Sequence, residues 1–153
     1  MNRRTLLKGT LAAGTVGMAV AAGLVAPRAV LAAWPKEAFE ADSVGAAMNN
    51  IAGSDQAADG DIEIKAPDIA ENGAVVPVTV STGISGVESI SILAAQNGNP
   101  LTSAYMLSDK AEPFVSTRIK MGKTSDVIAL VKANGKLYRS SKEVKVTIGG
   151  CGG

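Results

Sequence analysis

The sequence predicts a mainly β protein, an immunoglobulin-like antiparallel β-sandwich of about seven strands with an N-terminal helix and a flexible C-terminal arm, Gly-Gly-Cys-Gly-Gly. Three observations lead there. From Asp61 onward, apolar residues recur at every second position, the period of a strand. Turn residues interrupt these runs at short, regular intervals. No run of helical period lies between them, which argues against parallel βαβ units.

The elements follow in chain order. Trp34 to Ile51 reads as one helix: Pro35 suits its first turn, Glu37 and Glu40 suit its positive end, and Ala41, Val44, Met48 and Ile51 share a face. Gly53 can end it, and 52–60 reads as a loop. Ile62 and Ile64 then alternate with Asp61, Glu63 and Lys65. Val76, Val78 and Val80 alternate with Pro77 and Thr79, and the proline argues for an edge or a bulge. Ile90 and Ile92 alternate with serines. Val115, Thr117, Ile119 and Met121 share one face. Val127 to Val131 is apolar on both faces, as a central strand would be. Val144, Val146 and Ile148 form the last alternating run. Between these lie turn signals at 71–73, 82–83, 97–100, 121–123 and 133–136, the last an Asn-Gly hairpin signal.

Composition narrows the function. A chain of 153 residues suits one domain, and an apolar fraction of 46% allows a real core. Aromatics are only 3%, so aliphatic side chains and methionine must build it. There is no histidine, which excludes Ser-His-Asp and Cys-His catalysis and histidine-ligated metals. The single cysteine excludes an intramolecular disulfide and a cysteine-rich metal site. No metal, no cofactor and no catalytic residue is therefore expected. A net charge of +1 gives no reason to propose nucleic acid or stable membrane contact.

Residues 1–32 read as an export signal. Arg3 and Arg4 precede Thr5, Leu6, Leu7 and Lys8, the twin-arginine pattern, and an uncharged stretch from Gly9 to Pro27 follows. Val30-Leu31-Ala32 then offers a small-residue cleavage site before Ala33. An uncleaved membrane anchor is the alternative, although four glycines interrupt the apolar stretch. Cleavage would remove Arg3, Arg4, Lys8 and Arg28 and no acid, leaving 11 basic against 14 acidic groups, a net charge of −3. The expected address is the periplasm, reached in folded form. A chain with no cofactor to acquire has a partner subunit as its reason to fold before export.

The body is expected over 33–148 and the arm over 149–153. Gly149, Gly150, Gly152 and Gly153 surround the only thiol, Cys151, and glycine makes a slim, permissive tether. Such an arm can fix neither a base nor an oxyanion site, so a catalytic cysteine does not fit. A carrier thiol needs what is present: exposure, reach and little bulk. Two readings stand beside it, an incidental glycine-rich tail and an intermolecular disulfide that makes the chain an exported structural subunit. A free thiol titrates near pH ~8.5, so any activation at neutral pH would come from a visiting enzyme.

The terminal Gly149-Gly150-Cys151-Gly152-Gly153, the Arg3-Arg4 leader and the small β-rich body together resemble the SoxY family of bacterial thiosulfate oxidation. Thr5-Leu6, where phenylalanine is common after the arginine pair, is a mild departure. The resemblance implies a carrier that catalyses nothing and pairs with a SoxZ-type subunit exported alongside it. It implies that a thiosulfate-conjugating c-type cytochrome loads Cys151 as a cysteine S-thiosulfonate. A sulfate thiohydrolase and a sulfane dehydrogenase would then act on the bound cargo.

Other side chains read as ordinary. Lys142 and Lys145 suit solvated charges on an edge strand, and Lys120 and Lys123 suit a turn. A functional version has these lysines attracting anionic sulfur cargo or acidic enzyme surfaces. Met106 and Met121 read as core filler, and Trp34 and Phe39 as packing on the sandwich or on the partner.

Overall fold

A computed structural model describes residues 35–149. The chain divides into two units, Met1–Trp34 and Pro35–Gly153, and the described residues belong to the second. The leader with Arg3 and Arg4, Trp34, and the terminal Gly150, Cys151, Gly152 and Gly153 lie outside them.

Two helices replace the single one expected over 34–51: α1 (Lys36–Phe39) and α2 (Val44–Ala52). The interruption comes at Ser43, which is extended (φ −140°, ψ 153°) and accepts a hydrogen bond from Ala46 N at 3.3 Å. A serine that satisfies the free amides of a first turn begins a helix instead of continuing one. Gly53 closes α2, as expected.

Nine strands follow: β1 (Ala58–Asp59), β2 (Ile62–Lys65), β3 (Ile69–Ala70), β4 (Val76–Thr82), β5 (Val87–Ala94), β6 (Leu101–Met106), β7 (Phe114–Ile119), β8 (Ser125–Ala133) and β9 (Lys136–Val146). The larger sheet has the order β1-β9-β8-β5-β6, with β3 also on β9, and the smaller has the order β2-β4-β7. Pairing is antiparallel except for β1 and β3, which run parallel to β9. The six alternating runs named from sequence account for six of these; the other three are the two-residue β1 and β3 and also β6, which the period of two does not reveal. A bulge hides it: Leu101 pairs with Leu93 and Ser103 with Ile92, leaving Thr102 extra. Leu101 therefore faces the helices, whereas Tyr105 packs on the opposite core.

The mainly β sandwich has two cores. Val76, Val78, Val80, Ile90, Ile92 and Val131 meet between the sheets. Met48 and Ala47 of α2 meet Leu93, Ile128 and Leu130 on the outer face of the larger sheet. β8 contributes to both, which is why Val127–Val131 is apolar throughout. Each fully buried aliphatic side chain contributes about 1.5–3 kcal/mol, so this strand anchors the fold. β8 and β9 join at Asn134 (φ 51°) and Gly135 (φ 71°), the paired left-handed residues that a two-residue hairpin needs.

Some expectations hold and others are corrected. Pro77 lies in the middle strand of the smaller sheet, but β2 pairs only with Thr79–Thr82, so β4 is locally an edge beside the proline. Lys142 is not a freely solvated charge, although β9 is locally an edge there, between its pairing with β1 at Tyr138–Arg139 and with β3 at Lys145–Val146. Its Nζ donates to Ala66 O at 2.6 Å and pairs with Asp68 at 3.0 Å, fastening the segment before β3. Met121 is core, but Met106 is 83% exposed at the end of an outer strand. Phe39 packs on the helix-side core.

Candidate functional site

The last regular strand stops at Val146, two residues short of the expected run, yet the backbone stays bonded to the body. Thr147 N donates to Ala70 O at 3.1 Å, and Gly73 N donates to Ile148 O at 2.7 Å. Met121 N donates to Gly73 O at 2.7 Å, so Gly73 joins the tail to the turn after β7. Ile148 does not continue the buried face of Val144; it is 69% exposed. At Thr147 and Ile148 the backbone keeps bonding partners while the side chains stand exposed.

Gly149 sits directly on that turn. A Cβ built there would collide with the carbonyl oxygen of Gly122, closer than real side-chain carbons approach. The first glycine of the terminal cluster is thus required by a close backbone approach, a reason separate from chain freedom. Gly149→Ala is expected to push Ile148–Gly149 off the turn. The Gly73 amide should then exchange its hydrogen at least about tenfold faster, with little change in global stability, because the opening is local. Unchanged exchange at Gly73 would show that the contact is not tight.

The same turn borders a cavity of about 260 Å³ lined by Asn97, Asn99, Leu101, Thr102, Arg118 and Lys120, among others. Three of its neutral polar side chains bond the scaffold. Asn97 Nδ2 donates to Lys120 O at 2.7 Å while its Oδ1 accepts from Gly122 N at 2.9 Å. Asn99 Nδ2 donates to Ala41 O at 3.2 Å, and Thr102 Oγ1 donates to Ile92 O at 2.8 Å. Among the described residues, Arg118 and Lys120 make no ion pair. Residues 114–125 hold Arg118, Lys120 and Lys123 and no acid. Among the described residues, no group of three or more His, Cys, Asp or Glu could hold a metal, and no helix is long and apolar enough to cross a membrane.

Of the residues expected at the site, Gly149 is placed; Gly150, Cys151, Gly152 and Gly153 lie outside the described residues, as do Arg3 and Arg4. Gly73, Asn97 and Gly122 are participants that sequence reasoning passed over. The turn signals at 71–73, 97–100 and 121–123 marked their positions, but not that the three turns meet.

The family model for the sulfur oxidation protein SoxY matches residues 48–151, a span that ends on Cys151. This chain belongs to the SoxY family. A solved sulfur carrier protein, SoxY from Chlorobium limicola f thiosulfatophilum, is 43% identical, and the match covers 74% of this chain and 99% of that one with a TM-score of 0.63. The resemblance to SoxY thus holds at the level of the family and of a mainly β fold. A superoxide reductase (neelaredoxin) from Ignicoccus hospitalis shares 24% identity over 56% of this chain and 79% of its own, with a TM-score of 0.50. At that identity the likeness is one of fold alone. No curated protein matches the chain.

Proposed function

We propose that this SoxY-family chain is a covalent carrier of sulfur intermediates in thiosulfate oxidation, with its cargo on Cys151. One observation carries the reading: the family match extends to the chain's only thiol, which lies in its densest glycine cluster. The protein is a carrier and not a catalyst; it is the substrate of the enzymes that visit it. Loading joins the Cys151 sulfur to the outer sulfur of thiosulfate. The thiol gives up its proton, and the two electrons released as the S–S bond forms pass one at a time to the haem iron of a c-type cytochrome and on to further one-electron acceptors. The product is a cysteine S-thiosulfonate. A sulfate thiohydrolase then adds water to the sulfonate, releasing sulfate and leaving a persulfide on Cys151. A sulfane dehydrogenase oxidises that remaining sulfur. Reversible S–S chemistry suits a thiol to this work, and the chain lacks the histidine on which many general bases rely.

A SoxZ-type subunit completes the carrier as a heterodimer, burying at least ~1,000 Å² in total. The site of action is the periplasm, reached in folded form through the Arg3-Arg4 signal, with cleavage before Ala33. Replacing Arg3 and Arg4 by lysine is expected to trap full-length precursor in the cytoplasm; normal export would remove the twin-arginine route.

Intact mass of the protein from cells grown with and without thiosulfate tests the carrier reading. Thiosulfate-dependent sulfur and thiosulfonate adducts on Cys151 are expected. A static intermolecular disulfide, indifferent to thiosulfate, would make the chain a cross-linked structural subunit instead.

A further inference from the structure

We infer that Asn72 is a modification site, poised to close onto the Gly73 nitrogen as a succinimide, and that the docked segment at Ile148 holds it back. The site is independent of whatever Cys151 carries. An asparagine followed by glycine is the pair most open to this reaction, because glycine sets no side chain in the way of its own backbone nitrogen. The chain has three such pairs, at 72–73, 97–98 and 134–135.

The three are held differently. At Asn97, Nδ2 donates to Lys120 O at 2.7 Å and Oδ1 accepts from Gly122 N at 2.9 Å. At Asn134, Nδ2 donates to Ser85 O at 2.9 Å, and the Gly135 nitrogen donates to Glu88 Oε1 at 3.0 Å. In both, the amide nitrogen that must leave is tied to a carbonyl. At Asn72, which is exposed, Nδ2 has no partner among the described residues, while Oδ1 accepts from Ala74 N at 2.9 Å. That N–H draws electron density from the side-chain carbonyl and stands where the charge of the tetrahedral intermediate would collect, as an oxyanion donor does. Electrophile and leaving group are therefore ready, and only the nucleophile is held: Gly73 N is buried and donates to Ile148 O at 2.7 Å.

The reaction begins when Ile148 swings away. Hydroxide takes the Gly73 amide proton, and the nitrogen attacks Asn72 Cγ. The new N–C bond forms, the Cγ–Nδ2 bond breaks, and ammonia departs with a proton returned by water. Water then opens the ring at either carbonyl. The product is an aspartate in the ordinary linkage or an isoaspartate, whose side-chain carbon has entered the backbone. Water is consumed and ammonia released, with no change of oxidation state. A succinimide has no N–H at position 73, so the bond to Ile148 O cannot re-form. An isoaspartate lengthens a turn that also holds Met121 N, through Gly73 O, at 2.7 Å. The device runs one way: the seated segment protects Asn72, and a converted Asn72 unseats the segment.

The test incubates the full-length protein and its Gly149→Ala variant at mildly alkaline pH and follows aspartate and isoaspartate at Asn72 and Asn134 by peptide mass mapping. The added methyl group collides with Gly122 O and lifts Ile148 from Gly73. Conversion at Asn72 is expected to rise at least about tenfold, in step with the local opening of the Gly73 amide. Asn134, in the hairpin at the other end of β9, should convert at one rate in both proteins. Asn97 is no reference, since it bonds the Gly122 that the methyl group strikes. Equal rates at Asn72 in the two proteins would overturn the protecting role of Ile148. So would an equal acceleration at Asn134, the sign of general unfolding. The isoaspartyl form of the parent protein is then isolated. Its Met121 amide should exchange hydrogen at least about tenfold faster than in the unconverted protein. Unchanged exchange there would overturn the release of the segment by conversion.

Discussion

Cys151→Ser abolishes thiosulfate-dependent sulfur carriage and leaves the melting temperature within about 1 °C of the parent protein; this is the largest effect expected of any single substitution. Serine preserves shape but replaces sulfur with oxygen, so no S–S bond to cargo can form. The chain has no second thiol to take over. Stability should hold because the cores are built from Val, Ile, Leu, Met and Ala of the helices and strands, and a terminal residue contributes little to packing. The paired measurement is intact mass after exposure to the loading enzyme and thiosulfate, alongside thermal unfolding. A variant that still carried sulfur would end the assignment of Cys151. A variant that lost carriage only because it unfolded would leave the thiol's role undecided, and the unfolding curve separates the two.

Gly150→Val with Gly152→Val should lower enzymatic loading at least about tenfold while leaving labelling by small thiol reagents unchanged. Valine restricts backbone torsions and places β-branched bulk on both sides of the thiol. An enzyme that must bring Cys151 beside its haem requires close placement, and a displacement of about 1 Å can cost on the order of a hundredfold. A small reagent approaches from solvent and needs no such fit. Measuring both reactions on one protein separates access from intrinsic reactivity. Loading equal to that of the parent would reduce the glycines to a plain tail and withdraw the arm mechanism. Gly149 is left out of this variant because its collision with Gly122 would disturb the root as well as the arm.

Much of the fold is legible in the chain because the two faces of each strand meet different surroundings. Val76, Val78 and Val80 announce a half-buried strand, and the unbroken Val127–Val131 announces one covered on both faces. Asn134-Gly135 announces the hairpin, since few other residues enter the left-handed region so readily. Where local pattern fails, a specific residue is responsible. Ser43 satisfies an amide and divides a run whose apolar spacing alone reads as one helix. Thr102 adds one residue to β6 and reverses its alternation midway. In β9, Lys136–Lys142 is polar enough to look like a loop, yet it is strand because β8 pairs with it at every residue.

The candidate site divides the same way. Sequence by itself determined the chemistry: one thiol, no histidine, four glycines beside that thiol and a mainly β body, because these are matters of residue type and local period. Only tertiary structure decided what surrounds the arm root. Gly73, Asn97, Gly122 and Gly149 come from separate turns, and nothing in their local sequence states that they touch. Their meeting follows from the sandwich closing over the inter-sheet core, which brings the β5–β6 and β7–β8 connections to the end of β9. Arg118 and Lys120 are exposed charges, and their place beside Asn97 and Asn99 around one cavity follows from that closure; alternation along β7 tells which face a side chain takes but not what lies opposite.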